Sequence, residues 1–205
     1  KYNESMFTCI LLAAGLSSRF GSSKALVPLD ENETLIEHLQ DTLIQSVVNH
    51  VVVVLGANAD LTQPKIRNHP KITFIKNKNY LLGQTSSFQA GLTIAPTNTQ
   101  GILLLPIDYP FVKVETINTL IKNFQNHHAS ILIPTYKNHR GHPPIFHSSW
   151  RDAFYKLDPS EGINSLIHQN ESEVKIFPCS DPGVILTFNS PQEWEKIQAQ
   201  RKSQS

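Results

Sequence analysis

The chain has 205 residues and a mass of 23.0 kDa, which suits a single domain burying roughly 70% of its unfolded surface without staples. Apolar residues make up 40%, and 18 basic residues meet 17 acidic ones for a formal charge of +1. Long disorder is thereby excluded, and so is the basic excess of a general nucleic-acid or membrane-surface binder.

Short runs of β-branched residues and leucine recur along the chain: Thr8 to Ala13, Val51 to Leu55, Ile72 to Ile75, Gly101 to Leu105 and Ser130 to Ile133. Near-continuous apolar runs of this length suit strands buried on both faces. Between them, Thr34 to Val47 places Leu35, Ile36, Leu39, Leu43 and Val47 on one helical stripe, and Val114 to Phe124 does so with Ile117, Leu120, Ile121 and Phe124. Strand and helix in alternation predict a mostly parallel sheet covered by helices. The last third breaks the rhythm. His142-Pro143-Pro144 forces an extended chain before Ile145-Phe146. Val174 to Phe177 and Val184 to Leu186 read as further short strands. Ser190 then caps a helix that starts at Pro191. No repeat or linker divides the chain, so one domain is expected over residues 1–205.

Cys9 and Cys179 are too few for a disulfide scaffold or a four-cysteine zinc site. Cys9, inside an apolar run, reads as a small core residue. No apolar stretch approaches the ~20 residues that span a bilayer, and the polar start Lys1-Tyr2-Asn3-Glu4-Ser5 has no signal-peptide pattern. A reducing cytoplasm is the expected setting.

In an open parallel sheet, ligands bind beyond the carboxyl ends of the strands, so the loops there carry the chemistry. The loop after the first strand, Leu12-Ala13-Ala14-Gly15-Leu16-Ser17-Ser18-Arg19-Phe20-Gly21-Ser22-Ser23-Lys24, combines small residues with two cations. Its backbone N–H groups can approach phosphate oxygens while Arg19 and Lys24 supply charge. It is neither a P-loop nor a GxGxxG fingerprint, and an ordinary flexible loop has a similar composition. After the fourth strand, Asp108 lies between Pro106 and Pro110. It is suited either to Mg²⁺ or to capping a turn; phosphates at the first loop favour the metal. Gly83-Gln84-Thr85-Ser86-Ser87 offers hydroxyls and an amide at a helix start, for a nucleotide or for the cap itself. His139, His142 and His147 stand close together, but the intervening prolines deny them a shared helical face. A basic loop facing substrate is the better reading than zinc. His127-His128 reads as a solvated helix end.

Taken together, these segments resemble a known family. Leu12 to Lys24 is similar to the LAAGxSxRMGxxK signature of the MobA-like NTP transferases, which include the molybdenum cofactor guanylyl- and cytidylyltransferases, with Phe20 at the usual methionine. Asn79-Tyr80-Leu81-Leu82-Gly83-Gln84-Thr85-Ser86-Ser87 resembles the acidic-GMxxS loop, and Pro106-Ile107-Asp108-Tyr109-Pro110-Phe111 the D-x-P-F metal loop. Gly141-His142-Pro143-Pro144-Ile145-Phe146 resembles the RGHPxxF segment of cytidylyl-type members. The likeness spans nearly the whole chain.

The resemblance implies a Rossmann-like three-layer α/β/α fold and a transfer of a nucleoside monophosphate, with pyrophosphate released. It assigns catalysis to Arg19, Lys24 and Asp108, and nucleotide binding to Leu12, Ala13, Ala14, Gly15, Ser86, Gly141 and His142. Mg²⁺ falls to Asp108 and Asn189. Ala13-Ala14-Gly15 looks like the CTP-type AAG rather than the GTP-type AGG, so CTP is expected over GTP, with a phosphorylated acceptor such as molybdopterin. Two departures stand out. Thr187-Phe188-Asn189-Ser190-Pro191-Gln192-Glu193 replaces DxDTPED with a hydroxyl and a neutral amide. Pro159-Ser160-Glu161-Gly162-Ile163-Asn164 lacks the arginine of the family's GDxGAR segment. They leave open a sugar-phosphate acceptor, or an accessory protein that binds a nucleotide or cofactor without turnover.

Overall fold

A computed structural model describes residues 6–16 and 23–202. In chain order the strands are β1 (Met6–Ala13), β2 (His50–Leu55), β3 (Ile72–Lys76), β4 (Thr99–Pro106), β5 (Ile131–Tyr136), β6 (His139–Arg140), β7 (Ile145–His147) and β8 (Val174–Pro178). The α-helices are α1 (Leu35–Gln45), the one-turn α2 (Ala59–Thr62), α3 (Gln84–Ile94), α4 (Val114–Asn126), α5 (Arg151–Lys156), α6 (Ile163–Gln169) and α7 (Pro191–Lys202). The strands form one sheet in the order β3-β2-β1-β4-β7-β5-β6, with β8 also on β5. Pairs β1–β2, β1–β4, β2–β3 and β5–β8 are parallel; β7 runs antiparallel between β4 and β5. The mostly parallel sheet expected from the apolar runs is present.

Period-two alternation explains the layers. Along β1, Phe7, Cys9 and Leu11 enter one buried cluster with Leu39 and Leu43 of α1, Ile117 and Leu120 of α4, and Trp194 of α7. Ile10 and Leu12 enter the other, with Phe88 of α3, Phe154 of α5 and Ile167 of α6. Both faces are therefore covered, as a parallel sheet requires. Cys9 is fully buried and its thiol is pushed well above the ordinary range by burial, which fits its reading as a core residue. Phe88, Phe146 and Phe154 meet edge-on or tilted at 4.8–6.3 Å and fill the second layer.

Local chemistry sets the element ends. Glu37 accepts from the Thr34 backbone N–H at 3.0 Å and from its hydroxyl at 2.6 Å, fixing the start of α1. Ser190 Oγ accepts from Glu193 N at 3.2 Å, so it does start α7. One expectation is corrected. Val184 to Leu186 is not a strand; Pro182–Val184 is a 3₁₀ turn. Asp181 caps it by accepting from Gly183 N at 2.8 Å, and Val184 is buried as a plug. A turn made by Asp-Pro-Gly overrides a short apolar run.

Candidate active site

Three loops meet at the carboxyl end of the sheet. The first leaves β1, and Ile107 N donates to Leu12 O at 3.0 Å, tying it to the loop after β4. Lys24 opens a 3₁₀ turn, Lys24–Leu26, and sends its side chain back across the sheet end. Its Nζ lies 3.3 Å from Asp108 Oδ2, 3.2 Å from Asn189 Oδ1 and 2.7 Å from Phe188 O. The Lys24 side chain is 13% exposed and that of Asp108 24%. So three residues picked out from sequence, 84 and 81 positions apart along the chain, converge on one ammonium.

Beside them opens a cleft of about 340 Å³. It is lined by Leu12, Ala13, Ala14, Gly15 and Leu16 from the end of β1 and its loop, by Tyr80, Leu81, Gly83, Gln84 and Ser87 from the entry to α3, and by Lys24 and Asp108. Gly83 has φ +107°, a conformation that favours glycine, and it turns the chain into α3. Ala14 is buried, and a Cβ on Gly56 would come within 2.3 Å of its carbonyl oxygen, so Gly56 makes the room that Ala14 occupies.

Other expected residues stand elsewhere. Arg19, with the rest of residues 17–22, lies outside the described residues. Ser86 Oγ sits 2.9 Å from the carbonyls of Asn79 and Gly83 and accepts from Asn77 Nδ2 at 3.0 Å. Its hydroxyl serves the turn before α3. Gly141 and His142 are not on the cleft wall. A Cβ on Gly141 would come within 2.2 Å of Val184 O, and His142 N donates to that carbonyl at 2.8 Å. The His142 ring packs on Tyr109 at 4.1 Å, behind Asp108. Its Nδ1 is buried without a partner, and burial lowers its pKa to about 4 against the opposing pull of Asp108, so the imidazole is neutral at pH 7. Burial also raises the Tyr109 pKa, with Asp108 adding to the effect; a hydrogen bond with Thr187 opposes it. Arg140 forms a two-pronged pair with Glu171 at 2.8 Å on an exposed surface, so it is held away from the cleft.

The sequence reading missed Tyr109 and Phe188. The signal for Tyr109 was its place beside Asp108; Phe188 was hidden as the variable position between Thr187 and Asn189.

A divalent ion would fit here. One carboxylate, one amide oxygen and one backbone carbonyl already surround a cation, and all are hard oxygen donors. Among the described residues there is no group of three or more His, Cys, Asp or Glu able to hold a metal, so phosphate oxygens and water would have to complete the shell. No described helix is long and apolar enough to cross a membrane.

Residues 9–174 match the MobA-like NTP transferase domain. The chain is 30% identical over 183 residues to nicotine blue oxidoreductase of Paenarthrobacter nicotinovorans, covering 85% of this chain and 87% of that protein. It is 27% identical to the molybdenum cofactor cytidylyltransferase of Escherichia coli (strain K12), covering 68% and 69%. It is also 27% identical to a probable molybdenum cofactor guanylyltransferase of Bacillus mycoides (strain KBAB4), covering 94% of each. Among solved structures, the Mycobacterium sp. strain JC1 homolog of Mycobacterium tuberculosis rv0371c superposes with a TM-score of 0.82, 24% identity, and 97% and 98% of the two chains. Rv0371C of M. tuberculosis H37Rv in complex with manganese gives 0.76, 19%, and 95% and 99%.

Proposed function

This chain belongs to the MobA-like NTP transferase family of nucleotidyltransferases, and on that premise we propose that it transfers CMP from CTP to a phosphorylated acceptor with Mg²⁺. The observation that carries this reading is the 3.3 Å contact between Lys24 Nζ and Asp108 Oδ2 at the end of the cleft. A nucleoside fits between the Leu12–Leu16 and Tyr80–Ser87 walls, which directs its phosphates towards Lys24 and Asp108. An oxygen of the acceptor phosphate attacks the α-phosphorus. The bond from that phosphorus to the bridging oxygen breaks, and the electron pair leaves with pyrophosphate. Asp108 and Asn189 would hold the metal, which neutralises phosphate charge when bound. Lys24 meets the negative charge that builds on the departing oxygens. No protein nucleophile is required, in keeping with a site made of one cation and one carboxylate.

CTP is favoured by the Ala13-Ala14-Gly15 wall, where the Ala14 side chain is held in place against Gly56. The acceptor reading rests on the relatives, whose names include both molybdenum cofactor cytidylyl- and guanylyltransferases. Pyrophosphate release is measured with CTP or GTP and molybdopterin or a panel of sugar phosphates. CTP and molybdopterin are expected to give the faster release. Equal rates for wild type and Asp108→Ala would sink the enzyme reading.

A second reading follows from Thr187. Its hydroxyl is bonded to Tyr109, and Asn189 is neutral, so Asp108 is the carboxylate of this oxygen set. A chain that binds a nucleotide or cofactor without turnover fits that poverty of charge, and one relative in the family bears the name of an oxidoreductase. Tight CTP binding by calorimetry with no pyrophosphate from any acceptor favours it.

A further inference from the structure

The geometry points to Phe188 as the positioning residue that holds the Lys24 ammonium beside Asp108, with Trp194 and Phe111 as its backing; this deepens the reading of Lys24 as the group that meets the phosphates. Lys24 Nζ donates to the Phe188 carbonyl at 2.7 Å and lies 5.2 Å from the centroid of the same residue's ring. One residue thus attracts the cation twice, through its carbonyl dipole and through its ring face.

The ring is fixed. Phe188 is fully buried and packs on Trp194 at 4.7 Å. Trp194 lies parallel to Phe111, at 5.8 Å and 4°. Phe111 belongs to the same proline-stiffened loop as Asp108. The ammonium and its carboxylate are therefore anchored to one aromatic column. Trp194 is the single fully buried side chain of residues 191–199, with the half-buried Ile197 packed against the same core, so α7 backs this column from one face. Both Phe188 and Trp194 lie beyond residue 174, where the match to the family domain stops. A lysine stem has four rotatable methylenes and loses much freedom when ordered. Ordering it before the nucleotide arrives is pre-organisation of the kind that lowers a barrier.

The test uses the full chain without nucleotide. Lys24 acetylation by acetic anhydride is followed by peptide mass spectrometry, with the exposed Lys78 and Lys122 as internal references. Two replacements at position 188 separate packing from ring electronics. Phe188→Leu keeps the carbonyl and removes the ring face; 3,4,5-trifluorophenylalanine keeps the shape and neutralises the face. Lys24 labelling is expected to rise about two- to fivefold with the fluorinated ring and about tenfold with leucine, the references holding still. Trp194→Leu should raise it as well, and Trp194→Phe should restore most of the protection. A fluorinated ring that leaves Lys24 at the wild-type rate overturns the proposal, as does a rise shared equally by Lys78 and Lys122. Because no nucleotide is present, this result is independent of whether CTP is the substrate, which pyrophosphate release reads separately.

Discussion

Asp108 and Asp181 are two aspartates with opposite fates. Asp181 is 6% exposed and its carboxylate is filled by donors: Gly183 N at 2.8 Å, Lys113 N at 3.0 Å and the Thr116 hydroxyl at 2.7 Å. Asp108 is more open, and among the described residues its side-chain partner is one lysine ammonium at 3.3 Å. A carboxylate surrounded by backbone N–H groups is committed to the fold. One that meets a side-chain ammonium at the edge of a cleft keeps acceptor capacity open. Sequence alone allowed Asp108 either role, and Asp181 shows what a structural aspartate looks like in this fold.

The sharpest way to break this contrast is Asp108→Asn. Pyrophosphate release should fall by about 10²–10³-fold, while the unfolding free energy from urea titration changes by no more than about 0.5 kcal/mol. A collapse in stability instead would make Asp108 a structural residue like Asp181.

His142, packed behind Asp108, sharpens the comparison through pH. Its folded pKa of about 4 lies below the ordinary 6.5. The unfolded chain therefore takes up a proton first as pH falls. Stability from this residue is complete above pH 6.5, is lost progressively towards pH 4, and amounts to about 3 kcal/mol over that window. Urea titrations between pH 7 and 4 measure it, and His142→Gln should flatten that part of the profile.

Asp181→Ala should reverse the pattern of Asp108. Orphaning the Lys113 and Gly183 amides and the Thr116 hydroxyl costs about 2–4 kcal/mol, read as a lower melting temperature. Pyrophosphate release per folded molecule should stay near wild type. The smallest effect is expected at Glu37, whose hydrogen bonds to Thr34 start α1 far from the cleft. Glu37→Ala should cost about 1 kcal/mol in chemical denaturation and leave nucleotide binding unchanged.

The sheet was legible because its central strands are covered on both faces, which leaves unbroken apolar runs such as Val51 to Leu55. The short elements were not. Val184 is apolar because it plugs a turn, and α5 and α6 are too brief for a helical stripe to stand out. The pair Lys24 and Asp108 could be named in advance because a basic loop and a carboxylate after neighbouring strands must lie at the same sheet end. Ser86, Gly141 and His142 were assigned to the ligand by resemblance, yet their contacts serve turns and packing. Tyr109 and Phe188 escaped because their roles come from pairings between distant loops, which carry no local pattern.

Gly56 carries an evolutionary consequence. It sits outside every recognised motif, yet a Cβ there would come within 2.3 Å of the Ala14 carbonyl oxygen and 2.8 Å of its Cα, so glycine at 56 is what lets the chain at 14 pass. A side chain at 56 would therefore have to displace the strand-to-loop turn itself, so substitutions at 56 and the course of the loop after β1 are coupled whatever residue stands at 14.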